Sequence, residues 1–226
     1  MVLLLLVTGV ERATTGRGPA AIGFDSKRIV RDTVWGIVLG AGLFTAVALE
    51  LALSGHYRIV AVHATTALGF AALFVFLGAA LEELLFRGVL FRIVDEWAGL
   101  WVALGVSAAL FGLAHASNPG ATWISSLAIA VEAGVLLGVA FAVTKNVWFP
   151  IGLHFAWNFC EGPIYGAHIS GGTFFSSLVT AQIDGPAWLT GGAFGPEAGA
   201  PAVITCLIAA LCLLKSRPAS RKGGDG

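Results

Sequence analysis

Long apolar runs separated by short polar segments make up most of this chain. Six of these runs are candidates for membrane-crossing helices, which need about 20 apolar residues each. We place them near residues 33–53, 59–86, 100–116, 123–143, 147–165 and 201–214. The third and the sixth are short. The pattern predicts an all-α fold, a polytopic transmembrane helical bundle of about six spans plus a short N-terminal apolar segment.

The composition favours a bilayer as the solvent of these helices. Of the 226 residues, 57% are hydrophobic and only 12% are charged. A soluble globular domain carries about 25% charged residues. Apolar runs of this length can face lipid instead of water. The formal net charge is zero, so nothing indicates nucleic acid as a partner.

The basic residues predict an orientation in the membrane. Alternate loops of the predicted layout hold twelve of the thirteen Lys and Arg residues, and only Arg58 falls on the other side. Lys and Arg concentrate in cytoplasmic loops of membrane proteins. We therefore expect an integral protein of the plasma (cytoplasmic) membrane with both termini in the cytoplasm.

These patterns divide the chain into four parts. Residues 1–32 begin with MVLLLLVTGV, which is too short to span and lacks the basic start of a signal peptide. We expect this segment to be a clipped span followed by a basic cytoplasmic stretch. Residues 33–165 are the main membrane domain. Residues 166–200 are Gly-rich, lack Lys and Arg, and are predicted to form an outer loop. Residues 201–226 are the last span and a basic tail.

Two glutamates and an arginine lie in the second predicted span. In a helix, Glu83 and Arg87 are four residues apart and share one face in the order that favours an ion pair. Glu82 points about 100° away from Glu83. We expect Glu83 and Arg87 to neutralise each other and Glu82 to face a cavity. A charge cluster at the cytoplasmic end of the helix is the alternative interpretation.

Histidines occur in the third and fifth spans. A single histidine at a helix end, such as His115, is more often interfacial than catalytic. His154 and Asn158 are one helical turn apart, so both can donate hydrogen bonds towards one point. Hydrogen bonding between spans is the alternative role for this pair. Glu161 continues the same face and could line a site, whereas Glu132 in the fourth span has no partner that the sequence identifies.

Considered together, these residues form a more specific pattern. The chain contains three ordered motifs on hydrophobic helices, Glu82-Glu83-x-x-x-Arg87, Phe111-x-x-x-His115 and His154-x-x-x-Asn158. They resemble the motifs of the CAAX-processing and bacteriocin-processing (CPBP, or Abi) family, which includes type II CAAX prenyl endopeptidases. The resemblance covers about residues 30–165. It implies that 33–165 is a catalytic membrane domain.

The implied activity is hydrolysis of a peptide bond in a membrane-associated substrate of the CAAX or peptide-processing type. Its partners would be a membrane-embedded or lipidated peptide or protein and the lipid bilayer. The resemblance implies roles for six residues, namely water activation by Glu82 and His115, oxyanion binding by His154 and Asn158, and support from Glu83 and Arg87.

The sequence leaves the participation of a metal open. Glu82, His115 and His154 would make a three-ligand Zn²⁺ site with an open position for water. However, the chain has no His-Glu-x-x-His pair, and Asn158 suits an oxyanion better than zinc. We therefore favour a metal-free, glutamate-dependent mechanism over a metalloprotease mechanism, with Zn²⁺ as the alternative.

Two other classes of function could use the same polar residues. A non-proteolytic bacteriocin-immunity or scaffold protein would keep them to bind a partner. A proton-coupled carrier would use the carboxylates and histidines as a relay, but it would normally show broken helices, which the sequence does not indicate.

Overall fold

The computed structural model describes residues 23–64 and 67–216, and most of these residues are helical. The predicted clipped span and the basic tail after Ser216 lie outside the described residues. The helices are α1 (Ile29–Leu53), α2 (Leu68–Ala98), α3 (Leu100–Ala114), α4 (Trp123–Thr144), α5 (Trp148–Phe159, extended by the π-helical turn Cys160–Ile164), α6 (Ala187–Thr190) and α7 (Ala200–Lys215). The strands are β1 (Tyr57–Val62) and β2 (Val179–Ile183). Short 3₁₀ turns at Ser26–Arg28 and Pro196–Ala198 precede α1 and α7.

The mostly helical character that the sequence predicts is confirmed. Each of the six apolar runs overlaps one of the longer helices, α1 to α5 or α7. By length and composition, α1 with its preceding turn, α2 and α4 can cross a membrane, whereas α3 and α7 are shorter apolar helices. The number of six crossings therefore stays a prediction.

The predicted start of the second span near residue 59 was wrong. Tyr57–Val62 is a strand that pairs antiparallel with β2, from Tyr57 opposite Ile183 to Val62 opposite Val179. Its β-branched and aromatic residues suit a strand, but they adjoin the next apolar run and looked like part of it. The helix itself begins at Leu68 and continues beyond residue 86 to Ala98, in keeping with the lack of a helix breaker after Gly88.

Because α2 is longer than predicted, its middle lies next to the C-terminal end of α3. Gly99, in an extended conformation with positive φ (81°), joins α2 to α3 as a tight antiparallel connection. Glu83 and His115 are equally far along the chain from Gly99. The predicted layout had placed Glu82 near the cytoplasmic side and His115 near the outer side. The corrected bounds place both at the same level of the bundle.

Glycines set the contact between α1 and α5. A Cβ atom at Gly40 would overlap the carbonyl oxygen of Leu153, and one at Gly152 would overlap the carbonyl oxygen of Thr33. Small residues of this kind let membrane helices approach until their backbones touch. The contact fixes the position of α5, and hence of His154, along α1.

The two ends of the bundle differ in charge. One end carries most of the described basic residues, namely Lys27, Arg28, Arg31, Arg92, Lys145 and Lys215, and we call it the basic end. Contacts hold this end together, because Lys145 Nζ lies 3.0 Å from Asp95 Oδ2 and Arg28 Nη1 donates to the Thr144 carbonyl. The opposite end, which we call the sheet end, carries β1, β2, the α3–α4 loop and residues 166–199.

Candidate active site

Glu83 and Arg87 form an ion pair inside the bundle. Arg87 Nη1 lies 2.7 Å from Glu83 Oε1, and both side chains are completely buried. The Arg87 guanidinium also lies over the Phe111 ring, 4.6 Å from its centroid, and Nη2 donates to the carbonyls of Ala133 and Gly134. The expected ion pair is confirmed, and it connects α2 to α3 and α4. Arg87 lies in a π-helical stretch of α2, Leu84–Phe91, a feature frequent at functional sites.

The same glutamate oxygen orients His154. His154 Nδ1 lies 3.0 Å from Glu83 Oε1. Because an ionised carboxylate can only accept hydrogen bonds, Nδ1 carries the hydrogen of this contact. The ring is thereby held in place, and it lines a small internal cavity together with Asn158.

Glu82 and His115 meet across the α2–α3 connection. His115 Nε2 lies 4.0 Å from Glu82 Oε2, and the other ring nitrogen, Nδ1, lies 2.8 Å from the Phe111 carbonyl oxygen. A carbonyl accepts, so Nδ1 donates to Phe111 and Nε2 faces Glu82. A separation of 4.0 Å is too long for a direct hydrogen bond but suits two groups that share a water molecule.

Two adjoining cavities are lined by the predicted site residues, except for the buried Glu83–Arg87 pair. The larger one, which we call the site cleft, has a volume of about 200 Å³ and contains Glu82, His115 and Asn158. The smaller one, the inner cavity, has a volume of about 20 Å³ and contains His115, His154 and Asn158. A volume of that size is enough for about one water molecule. His115 and Asn158 therefore border both cavities, as expected for groups that act on one bound molecule.

The segment 166–200, predicted as an outer loop, supplies further residues of the site. Ser170, Phe174 and Phe175 line the site cleft, and Glu197 lines the inner cavity. Ser170 has a positive φ of 46°, which is rare for a residue with a side chain and often marks a functional position. The flanking glycine pair Gly171-Gly172 is the feature of the sequence that indicates this sharp turn.

Three glutamates are buried in this region, and two of them, Glu132 and Glu197, line the inner cavity. Glu132, Glu161 and Glu197 are each at most 3% exposed. Glu132 lines the cavity and accepts a hydrogen bond from Cys206 Sγ at 3.6 Å, so its hydrogen-bond partner is a cysteine. Glu161, which could have lined the site, borders neither cavity and lies beside Glu197 instead. Burial raises the pKa of Glu197 above its ordinary value.

The three residues considered as zinc ligands are not detected as one ligand cluster in the described structure. Among residues 23–64 and 67–216, no three His, Cys, Asp or Glu side chains converge in a way that could hold a metal ion.

The fold and the site define an integral membrane helical protein with a polar site inside the bundle. A family model described as "Rce1-like: Type II CAAX prenyl endopeptidase Rce1-like" matches residues 64–160. This part of the chain is therefore similar to the Rce1-like family, which is a family of proteases, and the resemblance based on the three motifs is confirmed. The matched segment contains all six predicted site residues. No significant match was found among curated proteins or among solved structures.

Proposed function

We propose that this protein is an intramembrane endopeptidase that hydrolyses a peptide bond of a membrane-embedded or lipidated polypeptide. The protease family of residues 64–160 supports the class of reaction. The observation that carries the proposal is the approach of His115 Nε2 to within 4.0 Å of Glu82 Oε2, in a cleft that Asn158 also lines.

The first step is the activation of water between Glu82 and His115. Glu82 accepts a proton from this water while the oxygen attacks the carbonyl carbon of the scissile bond. Because its Nδ1 hydrogen is donated to Phe111, His115 accepts a hydrogen bond from the water through Nε2 and holds the water in place. When the carbon–nitrogen bond breaks, Glu82 passes the proton to the leaving amine, so the base of the first step is the acid of the second.

Asn158 and His154 bind the oxyanion of the tetrahedral intermediate. Asn158 donates through its side-chain amide. Because Glu83 holds the Nδ1 hydrogen of His154, Nε2 can donate only when the ring carries both hydrogens and is positively charged. A charged donor binds an oxyanion more strongly than a neutral one.

Glu83 and Arg87 act as positioning residues. They do not line the site cleft, but they hold His154 and connect the three helices that carry the motifs. We propose the glutamate-dependent form of the mechanism because Glu82 has the position of a general base and the three predicted metal ligands do not converge.

The test compares the membrane peptides of cells that make the wild-type protein with those of cells that make Glu82→Gln at equal abundance. Glu50→Gln is the matched control, because Glu50 is an exposed glutamate of α1 that contacts Thr205. Peptides present with the wild type and Glu50→Gln but missing with Glu82→Gln are the expected result. Identical profiles for all three would contradict proteolysis and favour the scaffold or immunity function.

A further inference from the structure

Glu132 is a buried acid of α4 that the proposed mechanism does not use. It lies in the π-helical stretch Ala130–Val135, is 2% exposed and lines the inner cavity. This stretch is held tightly against α3, because a Cβ atom at Gly134 would lie 2.8 Å from the Cα atom of Ala108. Glu132 therefore has a fixed position in the wall of the inner cavity.

The surroundings of Glu132 favour its neutral, protonated form. Its side-chain hydrogen-bond partner among the described residues is the thiol of Cys206, an uncharged group. Its electrostatic neighbours include two further buried acids, Glu161 and Glu197. A carboxylate that is buried without a cation is very costly, and such a group keeps its proton instead. Glu132 is therefore a carboxylic acid with one hydrogen to donate.

The hydrogen of this acid belongs on Oε2. The Cys206 thiol donates to Oε1 at 3.6 Å, so Oε1 acts as the carbonyl oxygen of the acid. Oε2 is buried, and no described residue hydrogen-bonds to it. The inner cavity, which has room for about one water molecule, is the space left for this O–H group. Because a buried donor without an acceptor is costly, Oε2 donates to a water molecule there.

Asn158 is the side chain of this cavity whose orientation matters for catalysis. It lines both the inner cavity and the site cleft. Its amide has an NH₂ donor at one end and a carbonyl acceptor at the other, and the helix does not determine which end faces which cavity. The amide can bind an oxyanion only when NH₂ faces the cleft, which turns Oδ1 towards the inner cavity. Oδ1 then needs a hydrogen-bond donor from that side.

The two histidines of the inner cavity do not provide this donor. His154 gives its Nδ1 hydrogen to Glu83, and His115 gives its Nδ1 hydrogen to the Phe111 carbonyl. In a neutral imidazole the second nitrogen can only accept. A water molecule that receives the hydrogen of Glu132 can make the missing donation.

We propose that Glu132 is a positioning residue of the reaction, which as a carboxylic acid donates through one water molecule to Asn158 Oδ1 and so holds the Asn158 NH₂ group towards the substrate. The inference rests on the proposed function and adds a residue to its oxyanion site. A water molecule that accepts from Glu132 keeps both of its own hydrogens to donate. An ionised Glu132 would take one of them and leave the water free to accept from Asn158 NH₂, which would turn the amide the wrong way.

Two substitutions of Glu132 distinguish a hydrogen-bond donor from a carrier of protons. Glu132→Gln has the shape of the neutral acid, and with its carbonyl towards Cys206 it keeps an N–H donor in place of Oε2 but cannot release a proton. Glu132→Met removes the donor. Glu161→Met is the matched control, because Glu161 is also completely buried but borders neither cavity.

Initial rates on a synthetic peptide that carries a Glu82-dependent cut measure these effects. Since loss of an oxyanion donor itself costs about 10²–10³ in kcat, we expect Glu132→Met to lower kcat by about 10- to 100-fold with KM nearly unchanged. Glu132→Gln and Glu161→Met should stay within about threefold of the wild type. An unchanged kcat in Glu132→Met, or a loss in Glu132→Gln or Glu161→Met as large as in Glu132→Met, would overturn this inference and leave the proposed function intact.

A double-mutant cycle tests whether Glu132 acts through Asn158. In a protein that already carries Asn158→Ala, Glu132→Met should change kcat by less than about twofold, because the amide that it positions is gone. Losses that multiply when the two substitutions are combined would overturn the inference.

Infrared spectroscopy of the purified protein detects the proton without any activity. The difference spectrum between the wild type and Glu132→Gln should contain the carbonyl band of a protonated carboxyl group, lost in the variant. The loss of a carboxylate band instead would overturn the inference, even if Glu132→Met fails to fold. The absence of any Glu82-dependent cut in cells would refute the proposed function, and with it the role of Glu132 in catalysis.

Discussion

At the scale of residues, one carboxylate oxygen organises the site. Glu83 Oε1 accepts from Arg87 on the same helix and from His154 on α5. A buried carboxylate needs such partners, because an isolated ion inside a protein is very costly. The consequence is that the orientation of His154 depends on a residue that the substrate does not touch.

Arg87→Met should destabilise the protein strongly, because it leaves the Glu83 carboxylate buried without its counter-charge. Removal of one partner of a buried ion pair costs about 3–5 kcal/mol. Thermal unfolding of the purified protein in detergent measures the effect. Arg58→Met is the control, since Arg58 is exposed and bonds to Gln182, and it should cost less than about 1 kcal/mol. Similar losses for both variants would contradict the structural role of the pair.

Asn158→Ala should lower kcat and leave KM nearly unchanged, because the amide is proposed to bind charge that develops only in the transition state. Loss of one oxyanion donor costs about 10²–10³ in kcat. Initial rates on a synthetic peptide that carries a cut identified in cells measure both constants. A rise in KM with unchanged kcat would instead assign Asn158 to substrate binding.

The sequence predicted much of this constellation because helical spacing is local. The separation of four positions from Glu83 to Arg87, and from His154 to Asn158, fixes which side chains share a face. The contacts of Ser170 and Glu197 could not be predicted in this way. They depend on how the long 166–200 segment folds back over the bundle, and no periodic pattern specifies such a path.

At the scale of elements, π-helical stretches recur where helices carry buried ionisable residues. They occur at Leu84–Phe91 with Arg87, at Ala130–Val135 with Glu132 and at Cys160–Ile164 with Glu161. A π-helical turn shifts the side chains that follow relative to a regular helix. The apolar pattern predicted the helices themselves, but these local shifts and the β1–β2 pairing follow from tertiary contacts between distant segments.

Gly40→Leu should misplace α5, because any side chain at this position collides with the backbone of Leu153. Rigid backbone atoms cannot yield as a side chain can, so the helices must separate and His154 must move. We expect a lower unfolding temperature and a loss of proteolysis. Gly42→Leu, two residues further along α1, meets open space and should change neither. Equal effects of the two substitutions would show that helix propensity, and not the α1–α5 contact, is responsible.

Glu197→Gln should change how stability depends on pH. Because burial raises the pKa of Glu197, the folded protein keeps this proton at pH values where the unfolded chain has released it. The linked stabilisation is complete below the ordinary carboxyl pKa and is lost as pH rises through the raised value. The uncharged Gln lacks this loss, so the variant should gain stability relative to the wild type as pH increases. Unfolding temperatures across a pH series test this, and parallel curves would contradict it.

At the scale of the whole molecule, the distribution of basic residues predicts on which side of the membrane the site lies open. The basic end predicts which side faces the cytoplasm, and the site cleft opens at the other end. The side of access therefore depends on the orientation of the entire bundle. Exposed tryptophans agree with two membrane interfaces, since Trp97 and Trp101 lie at the basic end whereas Trp123 and Trp188 lie at the sheet end.

The orientation of the bundle in the membrane can be tested at two serines that follow helices at opposite ends of the bundle. Ser54 follows α1 at the sheet end and Ser216 follows α7 at the basic end, and both are exposed. Each is changed to Cys, which differs from Ser by one atom, in the protein that lacks its native cysteines. A membrane-impermeant maleimide should label Ser54→Cys in intact spheroplasts and Ser216→Cys only in inverted vesicles. The reverse labelling pattern would show that the bundle has the opposite orientation in the membrane. The cleft would then open towards the cytoplasm, where lipidated C-termini could reach Glu82 directly.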